Sequence, residues 1–90
     1  MTQRSVILHI HGRVQNVGFR YYTQKKALSL NIKGFVKNLP DGSVYVEAQG
    51  EPSNIEDFIA FCRQGPDWAR VDDLSIQDTP AEDFEGFHIR

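Results

Sequence analysis

Residues 12–20, GRVQNVGFR, place an arginine where a helix is expected to begin. The first N–H groups of a helix are unsatisfied and carry the positive end of its dipole, so a cation at Arg20 costs about 0.3–1 kcal/mol. A bound anion would offset that cost, because a guanidinium grips phosphate oxygens in a bidentate manner. The preceding loop could add backbone N–H donors, and Gly18 permits close approach since it has no Cβ. The stretch predicts an anion site; the alternative is an Arg20 that points to solvent or pairs with an acid.

The charge distribution agrees with an anion site in the first half of the chain. Residues 1–46 hold seven of the ten lysines and arginines and only one of the twelve acidic residues. An asymmetry of this kind can mark an anion-binding region. Two solvated surfaces of opposite sign would produce the same pattern, so charge alone does not decide between them.

Length and composition bound the kind of protein. Ninety residues with 40% hydrophobic content predict one packed domain over residues 1–90. The single cysteine, Cys62, cannot form an internal disulfide, which fits a reducing compartment. No stretch has the length of a membrane span or the form of a signal peptide, so we expect a cytoplasmic protein that does not act at a membrane. We also expect it to be a monomer.

The elements that must position the loop follow from periodicity. Alternating apolar residues at 6, 8 and 10 predict a half-buried strand before the loop, and helical spacing from Phe19 to Leu30 predicts a helix after it. Its buried side is expected to carry Phe19, Tyr22 or Thr23, Ala27 and Leu30. Asn31 is expected to end this helix as a left-handed residue. Residues 32–39 and 43–49 predict two strands joined by the turn sequence LPDG. By itself, Asn38 before this turn needs no explanation beyond turn chemistry.

The second half predicts another helix and two strands. The helix opens at Pro52 and Ser53, with Ser53 and Glu56 forming a capping box, and it ends at Gly65 and Pro66. Its buried stripe is Ile55, Phe58, Ile59 and Cys62. Residues 69–78 and 87–90 predict the last strands. The order β-α-β-β-α-β plus a terminal strand predicts a ferredoxin-like α+β sandwich, an antiparallel sheet with two helices on one face.

Three segments resemble the acylphosphatase family. GRVQNVGFR is similar to its signature G-x-V-Q-G-V-G-F-R, and KGFVKNLPDGSVYVEAQG (33–50) resembles its second motif. GPDWARVDDL (65–74) resembles the segment before the family's fourth strand. The resemblance covers essentially the whole chain and agrees with the predicted fold.

The resemblance implies hydrolysis of the carboxyl-phosphate bond of small acyl phosphates, releasing a carboxylate and inorganic phosphate. The family uses no metal and no cofactor, so none is expected here, and phosphate is expected as product or inhibitor. The implied catalytic residues are Arg20, which holds phosphate, and Asn38, which orients water. The implied phosphate-binding amides belong to Gln15, Asn16, Val17, Gly18 and Phe19.

The chain departs from the family pattern at two positions. Asn16 stands where the family usually has Gly; if that position is left-handed, Asn is the best-tolerated replacement. Its side chain could crowd the phosphate or add a donor. The last residue is Arg90, where many relatives have an aromatic residue, which makes the docking of the last strand a point to test.

Two other functions, a phosphate-binding protein and an RNA-binding module, are alternatives to this one. A family member with weak or no activity would act as a phosphate- or acyl-phosphate-binding protein. KGFV (33–36) partly resembles the core of the RNA-recognition motif, but it falls on the wrong strand, and an isoelectric point near 5.8 disfavours nucleic acid.

Two histidines of the first strand and the single tryptophan are expected to have structural rather than functional roles. His9 and His11 could form a metal pair, but no third or fourth ligand is evident in the sequence, so a solvated or partly packed sheet face is favoured. Trp68 is expected to cap the edge of the core rather than bind substrate.

Overall fold

The computed structural model describes residues 2–90, which form five strands and two helices. The strands are β1 (Arg4–Arg13), β2 (Lys33–Asn38), β3 (Val44–Gly50), β4 (Arg70–Asp78) and β5 (Phe87–Ile89). The helices are α1 (Phe19–Ser29) and α2 (Pro52–Gln64). The predicted element order is confirmed.

The strands form one sheet in the order β4-β1-β3-β2-β5. Four strands pair antiparallel, but β5 pairs parallel with β2, so the expected antiparallel sheet is a mixed one. The reason is the path of residues 79–86, which leave β4 at one edge and cross the sheet to the other. Along the way the amide of Thr79 donates to the carbonyl of Ser5 (3.0 Å), and the amide of Glu82 donates to the Gln49 side chain (2.9 Å).

Both helices cover one face of the sheet, and the core lies between these two layers. Strand β1 turns Val6, Leu8 and Ile10 toward this core. The stripe on α2 is confirmed, since Ile55, Phe58, Ile59 and Cys62 are all buried. On α1 the buried side chains are Phe19, Thr23 and Ala27. The spacing allowed either Tyr22 or Thr23 on the buried side of the helix; Thr23 is the buried one, and Tyr22 is exposed. Leu30 packs against the core while only partly buried.

Three local predictions have different outcomes. Asn31 has φ 55°, which confirms a left-handed residue after α1. The capping box is wrong: α2 begins at Pro52 with Glu51 as N-cap, because the fixed φ of proline suits the first helical position. Trp68 is 79% exposed, so it does not cap the core.

Cys62 is completely buried, and burial raises the pKa of its thiol well above the ordinary value, so it packs as a small apolar side chain. Neither helix in residues 2–90 is long and apolar enough to cross a membrane.

Candidate active site

The loop from residue 14 to residue 18 connects β1 to α1 and is anchored at both ends by buried side chains, Val14 and Phe19. The sign of φ alternates along the loop. It is positive at Asn16 (62°) and Gly18 (79°) and negative at Val17 between them. Such alternation makes a concavity into which successive N–H groups point, a geometry that binds anions. None of the five amides from residue 15 to residue 19 donates to a backbone or side-chain acceptor within residues 2–90. The loop therefore presents free donors beside the N-terminus of α1.

The departure at Asn16 is explained by this geometry. At φ 62° an asparagine is tolerated far better than a branched residue, and its side chain is exposed. We expect Asn16→Gly to keep kcat/KM within about twofold of the parent value. Asn16→Val should lower the free energy of unfolding by about 1–2 kcal/mol, since a β-branched residue is strained at positive φ. Urea denaturation of the two variants, combined with rate measurements, checks both; a large rate gain in Asn16→Gly would contradict the first expectation.

The Gln15 side chain braces the loop against the turn between β2 and β3. Its Nε2 donates to the main-chain carbonyls of Leu39 (2.8 Å) and Ser43 (2.9 Å). In the same turn, hydrogen bonds from the hydroxyl and amide of Ser43 hold the pKa of the Asp41 carboxyl below its ordinary value. These hydrogen bonds hold the turn next to the loop, and they are made by the Gln15 side chain rather than by its amide.

Replacing Gln15 by Glu tests this brace with a side chain of nearly the same shape. A carboxylate cannot donate to the two carbonyls and would lie against their negative ends, so we expect a loss of about 1–3 kcal/mol in the free energy of unfolding. Denaturant unfolding measures it. The control is Gln24→Glu, which removes one donor bond, to the Phe87 carbonyl, and should cost less. Equal losses in the two variants would show that the two hydrogen bonds of Gln15 stabilise the fold no more than the single hydrogen bond of Gln24.

Arg20 lies in the first turn of α1, where no acidic residue accompanies it. One guanidinium nitrogen, Nη1, donates to the main-chain oxygen of Arg90 at 3.3 Å. No ion pair joins Arg20 to an acid within the described residues. The alternative of a side-chain acid from the second half of the chain as partner is therefore wrong, and most of the guanidinium donors have no acceptor within the described residues.

Asn38 is the last residue of β2 and is partly buried. Its side-chain oxygen, Oδ1, is inaccessible to solvent and has no hydrogen-bond partner in the described part of the chain. An unsatisfied buried acceptor costs about 1–3 kcal/mol and calls for an explanation such as a bound water or ligand. Turn chemistry alone does not supply that explanation.

A cavity of about 190 Å³ joins these features. By this measure one water molecule needs about 10–15 Å³, so the cavity has room for a group larger than one water. Its lining residues are Val14, Asn16, Gly18, Phe19, Arg20, Tyr21, Asn38 and Ile89. The structure therefore brings Arg20, Asn38 and three of the five predicted loop residues to one cavity, whereas Gln15 and Val17 do not line it.

Sequence reasoning missed the contribution of β5 to this cavity. Ile89 lines one wall, and the main-chain oxygen of Arg90 holds Arg20. The sequence left the docking of this strand open, because the chain has arginine where many relatives have an aromatic residue. The strand is docked: the amide of Arg90 donates to the carbonyl of Val36 at 2.8 Å. The guanidinium of Arg90 also lies 3.9 Å from the centroid of the Phe35 ring, in a cation–π contact. The only sequence signal was the short apolar alternation in residues 87–89.

The face of the sheet without helices offers no platform for stacking a nucleotide base at Phe35. The ring is 5% exposed and lies between Arg90, Phe84 and Tyr45. Tyr45, which packs on this ring, is itself held by a hydrogen bond from its hydroxyl to Glu47. Burial, together with that bond, raises the pKa of Tyr45 to about 12. RNA-binding sheets of this fold present free aromatic faces at such positions. The resemblance of KGFV to the RNA-recognition motif therefore has no counterpart in the structure.

The five-stranded sheet with two helices on one face and the cavity described above define a ferredoxin-like α+β protein with a loop of free backbone N–H groups beside the N-terminus of α1. The model of the acylphosphatase family matches residues 6–89. The chain is 42% identical over 82 residues to an acylphosphatase of Archaeoglobus fulgidus, covering 91% of this chain and 92% of that protein. It is 44% identical over 91 residues to an acylphosphatase of Yersinia pseudotuberculosis, covering 100% and 99%.

Solved structures agree with this assignment. An acylphosphatase from Coxiella burnetii superposes with a TM-score of 0.94 at 33% identity, covering 98% of this chain and 93% of that one. An acylphosphatase from Bacillus subtilis gives 0.92 at 32% identity, covering 99% of both. The chain belongs to the acylphosphatase family and is an enzyme of that class.

Proposed function

We propose that this chain hydrolyses the carboxyl-phosphate bond of small acyl phosphates without a metal, using Arg20, Asn38 and the loop amides. Water attacks phosphorus, the bond from phosphorus to the carboxyl oxygen breaks, and the products are a carboxylate and dihydrogen phosphate. The observation that carries the proposal is that Asn38, whose buried Oδ1 has no partner within residues 2–90, lines the same cavity as Arg20 and three loop residues. Rotation of the Asn38 side chain would bring Oδ1 to the cavity, where it would hold a water beside a phosphoryl group bound by the loop.

The loop and Arg20 would bind the phosphoryl oxygens. A carboxylate is a good leaving group, so the loose transition state of phosphoryl transfer needs positioning and charge stabilisation more than a strong base. The free amides of residues 15–19 and the guanidinium can stabilise the charge on these oxygens as it develops. These donors would supply the stabilisation that reactions with poorer leaving groups take from a metal ion.

Asn38 would orient the attacking water. Its Oδ1 accepts a hydrogen bond from that water, while its Nδ2 can donate to the water or to a phosphoryl oxygen. An amide does not take up the proton at neutral pH. The proposed acceptor is therefore an oxygen of the substrate's own phosphate, which agrees with a cavity whose described lining residues include no acid and no histidine.

The acyl end of the substrate would face the apolar side of the cavity. Ile89 and Tyr21 line that side and are 41% and 56% exposed, so the wall is open to solvent. An open wall accepts acyl groups of different size, which fits an enzyme that recognises mainly the phosphoryl end. We propose further that residues 1–90 act as one domain and as a monomer in the cytoplasm, in keeping with the free buried thiol of Cys62.

Hydrolysis of benzoyl phosphate in the presence of EDTA tests the proposal. We expect turnover that EDTA leaves unchanged and competitive inhibition by inorganic phosphate. Loss of turnover in EDTA would contradict the metal-independent mechanism. Phosphate binding without turnover would instead identify an inactive family member that serves as a binding protein.

A further inference from the structure

A second group of ligand-type side chains lies on the sheet face that the helices leave uncovered. His9 and His11 are two residues apart on β1 and point away from the core residues Leu8 and Ile10. Their ring centroids are 4.3 Å apart. Asp41, in the turn between β2 and β3, completes the group, because one ligand atom from each of the three side chains lies within 4.8 Å of the others.

Strand pairing brings Asp41 to the histidines. His9 pairs with Tyr45 and Ile10 with Val44, so His11 lies level with the beginning of β3. The turn that precedes Val44 then folds Asp41 over the end of β1. The third ligand missing from the sequence analysis is therefore supplied by a residue distant along the chain, and the objection to a metal pair at this position no longer holds.

Hydrogen bonds orient two of the three ligands. The Ser43 hydroxyl donates its proton to Asp41 Oδ1, and the Ser43 amide donates to the same oxygen at 2.9 Å. Having donated its only proton, the hydroxyl accepts one from His9 Nε2, 2.9 Å away. This leaves Nδ1 of His9 and Oδ2 of Asp41 with free lone pairs. Ligand histidines in metal sites are oriented in this way, by a hydrogen bond from the nitrogen that does not bind the metal.

We propose that His9, His11 and Asp41 form a surface site for a divalent late transition-metal ion such as Zn²⁺. Two imidazole nitrogens and one carboxylate oxygen are the donor set that such ions take, and water would complete the coordination. Hard ions such as Mg²⁺ and Ca²⁺ prefer all-oxygen sites and should bind poorly. Both rings are only partly buried, so side-chain rotations can bring the ligand atoms, which now lie within 4.8 Å of one another, to the Zn–N distance of about 2.0–2.1 Å.

This site is separate from the proposed chemistry. None of its three residues lines the cavity that holds Arg20 and Asn38. It lies instead on the turn whose carbonyls at Leu39 and Ser43 hold Gln15. A bound ion would thus stabilise the folded turn and, through Gln15, the loop, without taking part in hydrolysis.

Calorimetric titration of the full, untagged chain with ZnCl₂, after EDTA treatment and dialysis, tests the site. We expect one equivalent to bind, and we expect the affinity to fall at least about tenfold in both His11→Ala and Asp41→Asn. Asp41→Asn keeps an acceptor for Ser43, so the turn should persist. The matched control is His88→Ala, which removes an exposed histidine outside the group and should bind Zn²⁺ like the parent.

A second measurement identifies the ligands without relying on activity. In the NMR spectrum of the histidine rings, Zn²⁺ should shift the signals of His9 and His11 and leave those of His88 unchanged. The melting temperature should rise with Zn²⁺ in the parent and not in His11→Ala, because only the folded chain holds the three ligands together. The absence of stoichiometric binding, or equal affinity in the parent, His11→Ala and Asp41→Asn, would overturn the proposal. These outcomes do not depend on whether the chain hydrolyses acyl phosphates.

Discussion

Replacing Arg20 by glutamine is expected to lower kcat/KM for benzoyl phosphate by about 10³-fold or more. The estimate follows from the effect of removing a transition-state donor or an arginine that stabilises phosphoryl charge. Inhibition by inorganic phosphate should be lost in the same variant, since the guanidinium would bind ground-state phosphate too. Steady-state kinetics with phosphate as a competing ligand measures both effects.

The stability of the Arg20→Gln variant separates a functional role from a structural one. The substitution removes a cation from the first turn of α1, which should raise the free energy of unfolding by about 0.3–1 kcal/mol, against the loss of one long hydrogen bond to Arg90. We therefore expect an inactive protein that is no less stable than the parent. Arg63→Gln is the control, because Arg63 is exposed in the last turn of α2 and far along the chain from the loop. Turnover of Arg20→Gln within tenfold of the Arg63→Gln value would refute the assigned role.

Replacing Asn38 by alanine is expected to lower kcat by about 10²–10³-fold, the range found when one positioned polar group is removed from an active site. The inhibition constant for phosphate should change little, because phosphate is held by the loop and Arg20. Truncation also removes the buried, unpartnered Oδ1, so the usual cost of losing a buried polar group should be absent. Kinetics and thermal unfolding of one protein preparation test the three expectations together.

The control for Asn38→Ala is Asn54→Ala. The Asn54 side chain donates to the carbonyl of Leu30 at 3.2 Å, so its removal should lower stability by about 0.5–1.5 kcal/mol and leave kcat unchanged. The two asparagines are thus expected to give opposite results. A large loss of phosphate affinity in Asn38→Ala, with kcat preserved, would show that Asn38 binds phosphate rather than positions water.

The sequence predicted the parts of this protein that depend on neighbouring residues. Periodicity and turn composition were sufficient for the seven elements, their order and the buried stripe on α2. The position of the loop and the left-handed residue at 31 also follow from local chemistry, whereas the left-handed Asn16 was only a condition taken from the family pattern. The anion site around Arg20 remains a prediction. For Asn38 the residues alone indicated only a turn, and the family resemblance was needed to suggest a role.

What only the tertiary structure decided is which atoms meet across the sheet. The crossing of residues 79–86 placed β5 parallel to β2, which brought Ile89 to the cavity and the main-chain oxygen of Arg90 to Arg20. The pairing of β1 with β3 set Asp41 beside His9 and His11. At the end of β2, Oδ1 of Asn38 is buried with no partner in the described part of the chain. Local patterns specify the period of an element and the residues that end it. The register and edge position of a strand depend on packing between segments far apart in the chain, and these contacts decide what the site can bind.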